Sequence, residues 1–282
     1  MNYRHAFHAG NHGDCLKHAL LCWLLPAMQR KPAPVFVLDT HAGLGRYPLE
    51  AGPAARTGEW KSGIGKLLDG PPAPSTEPLV DYTSLVRRLG LYPGSPALIR
   101  ALLRPQDRLA ACELHPEDAP VLRRLFARDP QVAVHQRDGW EALGALLPPA
   151  TGEKRALVLI DPPYEAEDEW HRLAEALALA HRRMKGAVLA AWYPIKGLAA
   201  PRALRAALAA IPDTVAAELH LREPTDAARL NGSGLLVVNP PFGFEQAAAA
   251  ILQALAARLA EHGGSILAEP GGRTSVTRWT DE

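Results

Sequence analysis

The stretch "TVAAELHLREPTDAARLNGSGLLVVNPPF" (214–242) holds two apolar runs separated by a polar loop of about a dozen residues, too short for a crossover helix. The two runs are therefore expected to pair as an antiparallel hairpin. Upstream, apolar strands recur in "PVFVLDTHAGLGRY" (34–47), "RLAACELHP" (108–116), "QVAVHQRDG" (131–139), "RALVLIDPPY" (155–164) and "GAVLAAWYPI" (186–195). Helix-like stretches such as "APVLRRLFARD" (119–129) and "EDEWHRLAEALALAHRRM" (167–184) separate them. Nearly continuous apolar strands alternating with helices mark a parallel sheet covered on both faces. Five parallel strands closed by the hairpin predict a seven-stranded α/β sheet.

The hairpin also separates two look-alike motifs, "LIDPPYE" (159–165) and "VVNPPFGF" (237–244). Ligands of an open α/β sheet gather at the carboxyl ends of its parallel strands. Asp161-Pro162-Pro163-Tyr164 ends the fourth parallel strand and arrives at that edge. Asn239-Pro240-Pro241-Phe242 ends an antiparallel strand, so it exits at the opposite edge and reads as a strand terminator. An acid followed by two prolines and an aromatic suits a planar amine. The Asp161 carboxylate and the Pro162 carbonyl offer two acceptors to two N–H donors. The prolines bring no competing N–H groups, and Tyr164 offers a stacking face worth roughly 1–3 kcal/mol. A base drawn from a helix has to be flipped out to reach such a pocket.

The same edge carries further polar groups. Gly43 and Gly45 permit close backbone approach to a ligand, although the third glycine of a dinucleotide fingerprint is missing. Glu113 ends the second strand, where a carboxylate can accept both ribose hydroxyls. Asp138 ends the third, as an acceptor for an adenine amine, with Gly139 giving the base room. Either acid could equally cap a helix. The long gap between the glycines and Glu113 makes 50–105 largely an insertion. Within it lie "GPPAPSTEP" (70–78) and "YPGSP" (92–96), whose Ser95 is either a turn residue or a ligand contact.

Near the N-terminus, Leu16, Leu20, Trp23 and Leu24 have helical spacing, with Pro26 expected to kink or end the helix. His5, His8, His12, Cys15 and His18 sit at spacings a metal can use, but no second ligand pair completes a zinc pattern. The favoured reading is a helix that roofs the cofactor pocket with Lys17 and His18 facing inward. Three cysteines (Cys15, Cys22 and Cys112) give no disulfide framework and fit a reducing, cytoplasmic compartment. The apolar run "ALLCWLL" (19–25) is too short to span a bilayer. With 31 Lys and Arg against 30 Asp and Glu, the net charge of +1 gives no general attraction for nucleic acid, so any RNA has to be met by local patches.

With these residues placed, the chain resembles the bacterial 23S ribosomal RNA adenine-N6 methyltransferase J family. The matching segments are "YRHAFHAGNHGDCLKH" (3–18), "LDTHAGLGRY" (38–47), YPGSP, "ELHP" (113–116), "RDG" (137–139), LIDPPYE, "WYP" (192–194) and "SGLLVVNPPF" (233–242). The resemblance implies a monomeric, Rossmann-like class I fold dependent on S-adenosyl-L-methionine. It implies one methyltransferase domain built from 1–49 and 106–282, interrupted by a small helical subdomain at 50–105. It also implies methylation of one flipped-out adenine of naked or partly assembled 23S rRNA, leaving S-adenosyl-L-homocysteine, without a metal or a membrane. By matching position, His18, His41, Ser95, Glu113, Asp138, Gly139 and Asp161 would contact the cofactor, with Asp161 also the catalytic acceptor. Tyr3 and Lys17 would act on the substrate side. The residues themselves leave other readings open: a DNA adenine or protein glutamine amide methyltransferase, a non-catalytic RNA-binding assembly factor, and, least favoured, a nicotinamide dehydrogenase.

Overall fold

The computed structural model describes residues 4–69, 77–166, 168–259 and 273–281. Tyr3 and most of the proline-rich stretch at 70–78 lie outside them. The parallel strands are β1 (Phe36–Asp39), β4 (Arg108–Cys112), β5 (Val132–His135), β6 (Ala156–Ile160) and β7 (Val188–Ile195). Between β1 and β4, the short strands β2 (Arg46–Tyr47) and β3 (Tyr92–Pro93) form a separate two-stranded ribbon. The expected hairpin is β8 (Thr214–His220) with β9 (Gly232–Val238), and β9 runs antiparallel to β7. The class of fold stands as expected, with one strand more than the seven read from the sequence. β10 (Arg273–Thr280) adds an eighth strand, antiparallel along the outer edge of β8. The sheet order is β10-β8-β9-β7-β6-β1-β4-β5.

Strand side chains alternate between faces, and the two cores follow that alternation. Val37, Leu157 and Leu159 face one core, whereas Phe36, Leu38, Val158 and Ile160 face the other. The first core is covered by α1 (His12–Gln29), α5 (Val80–Leu89), α6 (Ser95–Leu102) and α11 (Phe244–Leu259). The second is covered chiefly by α8 (Gly139–Leu146), α9 (Glu169–Arg183) and α10 (Ala199–Ala207). The short helices α2 (Gly52–Thr57), α3 (Glu59–Ser62) and α4 (Ile64–Leu68) follow β2, and α7 (Asp118–Leu125) follows β4. α1 continues through Pro26 to Gln29 instead of ending there. Leu24, Leu25 and Met28 are buried on either side of the proline, so packing outweighs the lost N–H bond.

Candidate active site

The carboxyl ends of β1, β4, β5 and β6 open into a cavity of ≈ 820 Å³, roofed by the start of α1. Asp161, Pro162, Pro163 and Tyr164 line it, as do Lys17, His41, Glu113, Asp138 and Gly139. Val238, the residue before Asn239, pairs with Leu189 near the start of β7, while Ile160, the residue before Asp161, pairs with Ala191 further along. The two proline motifs therefore stand at opposite sheet edges. Asn239 acts as a strut: its Nδ2 donates to the carbonyls of Lys185 (2.8 Å) and Ala187 (2.7 Å).

Tyr164 sits at φ 53°, a left-handed conformation unusual for an aromatic residue. Its hydroxyl donates to the Trp192 carbonyl at 2.8 Å, and its ring packs edgewise on Trp192 with centroids 5.9 Å apart. The ring is thereby fixed beside the Asp161 carboxylate. Asp161 is not free: Lys17 Nζ binds its Oδ2 and also lies 2.8 Å from Asp14 Oδ1. Burial opposes charge on both Lys17 and Asp14. Even so, Asp14 and Asp161 hold the ammonium above the ordinary lysine range, and His5 and Lys17 hold the Asp14 carboxyl well below its own. Asp14 Oδ2 additionally accepts from Gly10 N (2.9 Å) and is bonded to His5 Nε2 (3.0 Å).

On the opposite wall, Glu113 Oε2 accepts from Gly43 N (2.8 Å) and Oε1 from His115 N (2.7 Å). Burial raises its pKa, while those two donors pull it back. Asp138 does cap a helix: Oδ1 accepts from Trp140 N at 2.7 Å, which leaves Oδ2 3.5 Å from Arg172 Nη2. The Arg172 guanidinium in turn lies over the Trp140 ring, 5.1 Å from its centroid. His41 meets that ring edgewise, centroids 5.3 Å apart, and burial pushes its pKa down to about 4. The Thr40 hydroxyl donates to the Leu159 carbonyl (3.0 Å), so His41 Nδ1, 2.7 Å from it, carries the proton. The other ring nitrogen is thus an acceptor. Gly139 serves packing: a Cβ there would overlap the Thr40 carbonyl oxygen and stand 2.9 Å from His41 Cε1.

Two expected contacts lie one layer behind the cavity. His18 is fully buried, with Nδ1 3.0 Å from Tyr92 Oη, and does not line the wall. His18 shares a helix face with Asp14, one turn earlier, with Nε2 4.0 Å from Asp14 Oδ1, and Tyr82 and Tyr92 pack against its ring. Ser95 donates to Asp39 Oδ2 at 2.7 Å, linking the inserted segment to the end of β1. Burial pushes Asp39 up to about 7. Asp14, Trp140, Arg172 and Trp192 were not singled out from the sequence, yet all line the cavity. Trp192 lies in WYP and Asp14 in the block at 3–18, but neither motif marked the residue out. Among the described residues no group of three or more His, Cys, Asp and Glu side chains could hold a metal ion, and no helix is long and apolar enough to cross a membrane.

Five parallel strands closed by an antiparallel hairpin, with the motifs gathered at the parallel strands' carboxyl edge, define a Rossmann-like class I methyltransferase fold. A family model described as "Ribosomal RNA large subunit methyltransferase D, RlmJ" matches residues 32–269. The chain belongs to this family. It is 38% identical to "Ribosomal RNA large subunit methyltransferase J" of Haemophilus influenzae over 93% of this chain and 95% of that one. It is also 38% identical to the Escherichia coli K12 protein of the same name, over 87% and 89%. The crystal structure of protein LPL1258 from Legionella pneumophila superposes with a TM-score of 0.85 at 32% identity, covering 96% of this chain and 98% of that one.

Proposed function

We propose that this chain methylates the N6 amine of one flipped-out adenine in 23S ribosomal RNA, using S-adenosyl-L-methionine as donor and releasing S-adenosyl-L-homocysteine. The observation that carries the reading is that Asp161-Pro162-Pro163-Tyr164 and the acids Glu113 and Asp138 line one cavity at one sheet edge. The RNA assignment rests on the family. The volume suits a nucleoside-sized ligand beside a base. The residues fit the donor: Asp138 keeps one oxygen clear of its helix cap, and Glu113 oxygens retain lone pairs for ribose hydroxyls beside their backbone donors. When bound, the donor supplies an activated sulfonium methyl.

The chain's own residues then position the acceptor. Asp161 and the Pro162 carbonyl receive the two N6–H bonds and draw the nitrogen out of conjugation with the ring. Tyr164, anchored through Trp192, holds one face of the base. Lys17 has Asp14 as a second anion, so its ammonium can swing off Asp161 without being left unpaired. Most of the rate comes from this alignment. On the same reading, residues 50–105 form an inserted helical unit, the protein acts as a cytoplasmic monomer, and its substrate is naked or partly assembled rRNA.

The test is incubation with radiolabelled methyl donor and ribosomal RNA from a strain lacking this gene, followed by mapping of the modified base. Label is expected on one adenine N6 of 23S rRNA, and Asp161→Asn is expected to lose at least about a hundredfold in kcat while folding normally. No label on the RNA, or full activity of the variant, overturns the proposal.

A further inference from the structure

Acids line much of the cavity, Glu165 and Glu169 after β6 among them, and Lys17 and Arg172 are held by Asp161 and Asp138. Glu59, Glu113, Asp118 and Asp138 line the half beneath α1 and beyond β4 and β5, and three of them are matched: Glu59 with His8, Asp118 with Arg4, Asp138 with Arg172. Lys196 and Arg229 line the other lip, beyond β7 and in the β8–β9 loop. Both are exposed, and neither forms an ion pair among the described residues.

The backbone under these cations is tied at one fully buried side chain. Asn231 Nδ2 donates to the carbonyls of Lys196 (2.9 Å) and Asp226 (2.7 Å), while its backbone N–H donates to Ile195 at 2.9 Å. Leu221 N returns a bond to the Asn231 carbonyl, and Arg222 Nη1 donates to the Leu230 carbonyl, each at 2.9 Å. Lys196 and Arg229 thus project from a braced lip.

Height places that lip. β6 ends at Ile160, opposite Ala191, so Asp161 is level with Trp192, and β7 continues to Ile195. At about 3.3 Å per residue, Lys196 stands about 13 Å beyond the level of Asp161. A nucleotide that enters amine first toward Asp161 leaves its sugar and phosphates further out, toward the mouth. The cations stand at that height, on the side of the cavity away from Glu113 and Asp138.

We propose that Lys196 and Arg229, on the lip braced by Asn231, bind the backbone phosphates flanking the target nucleotide of an unpaired RNA segment. This deepens the functional reading above and rests on it for the orientation of the base. Long-range attraction is not needed from a chain of net charge +1, because the two cations act at contact distance.

The test compares wild type with Lys196→Ala/Arg229→Ala, both changes being at exposed positions. Anisotropy of a short, labelled, unpaired oligoribonucleotide containing one adenine is followed over a salt series. The double variant is expected to bind roughly tenfold more weakly near 0.1 M salt, with the slope of log K against log salt reduced by about 1.4, two single-strand contacts. Its calorimetric affinity for S-adenosyl-L-methionine should be unchanged, and Lys196→Arg/Arg229→Lys should restore RNA affinity. Wild-type affinity and slope in the double variant overturn the lip as a phosphate site, as does a wild type that binds no RNA. A wild type that binds the strand through these cations yet never methylates RNA sinks the functional reading and leaves this one standing.

Discussion

A lysine ammonium withdrawn from water is tolerable only beside anions, and Lys17 has two, Asp14 and Asp161. Its neighbour His18 solves the same problem by staying neutral: burial pushes its pKa down to about 3. Below its ordinary pKa of 6.5, an unfolded His18 takes up a proton that the native one refuses. Stability is therefore lost as pH falls from about 6.5 toward 3, at about 1.4 kcal/mol per pH unit for this one group. His18→Gln keeps a polar partner for Tyr92 but cannot titrate. Urea unfolding at pH 6, 5 and 4 should show the wild type losing stability more steeply than the variant by about that amount per unit. Groups not coupled to His18, Asp39 among them, titrate in both proteins and drop out of the difference. Parallel curves would mean that His18 is protonated in the fold. The residue pattern revealed Asp161, Glu113 and Asp138 because each ends a strand. Asp14 and Arg172 gave no such signal, since they join the cavity only through the placement of α1 and α9.

The hairpin spacing at 214–242 was enough to assign the two proline motifs to opposite edges, because strand direction alone decides where a strand's end emerges. The same spacing was silent about β10, whose partner strand lies more than fifty residues earlier. Nor could it say what Asn239 does. In the fold Asn239 takes φ 52° and ties the end of β9 to the start of β7 through two carbonyls. Asn239→Ala loses both bonds and strains the left-handed backbone, a cost of about 2–3 kcal/mol. A melting temperature lower by roughly 5–10 °C is expected, with kcat within about twofold of wild type. Calorimetry beside the methyl-transfer assay checks both halves. A variant that folds but fails to turn over would reopen the choice between the two motifs.

Placing the pieces together required the tertiary arrangement. A sequence with near-equal acids and bases says nothing of how they are distributed, yet the cavity gathers Glu113 and Asp138 on one wall and Lys196 and Arg229 on its far lip. That arrangement sets up a test of which small ligand belongs on the wall of Glu113 and Asp138. Anything that binds the native chain and not the unfolded one stabilises it by RT ln(1 + [L]/Kd), about 2.7 kcal/mol at a hundredfold excess over Kd. For a chain of this size that is a rise of roughly 5–10 °C in melting temperature. S-adenosyl-L-methionine and S-adenosyl-L-homocysteine are expected to produce it, and nicotinamide dinucleotides are not. Glu113→Gln has one acceptor oxygen for the two donors Gly43 N and His115 N and is a weaker acceptor for ribose hydroxyls, so most of the rise should vanish in that variant. A shift with the dinucleotide alone, or an undiminished shift in Glu113→Gln, would take the adenosyl ligand off this wall.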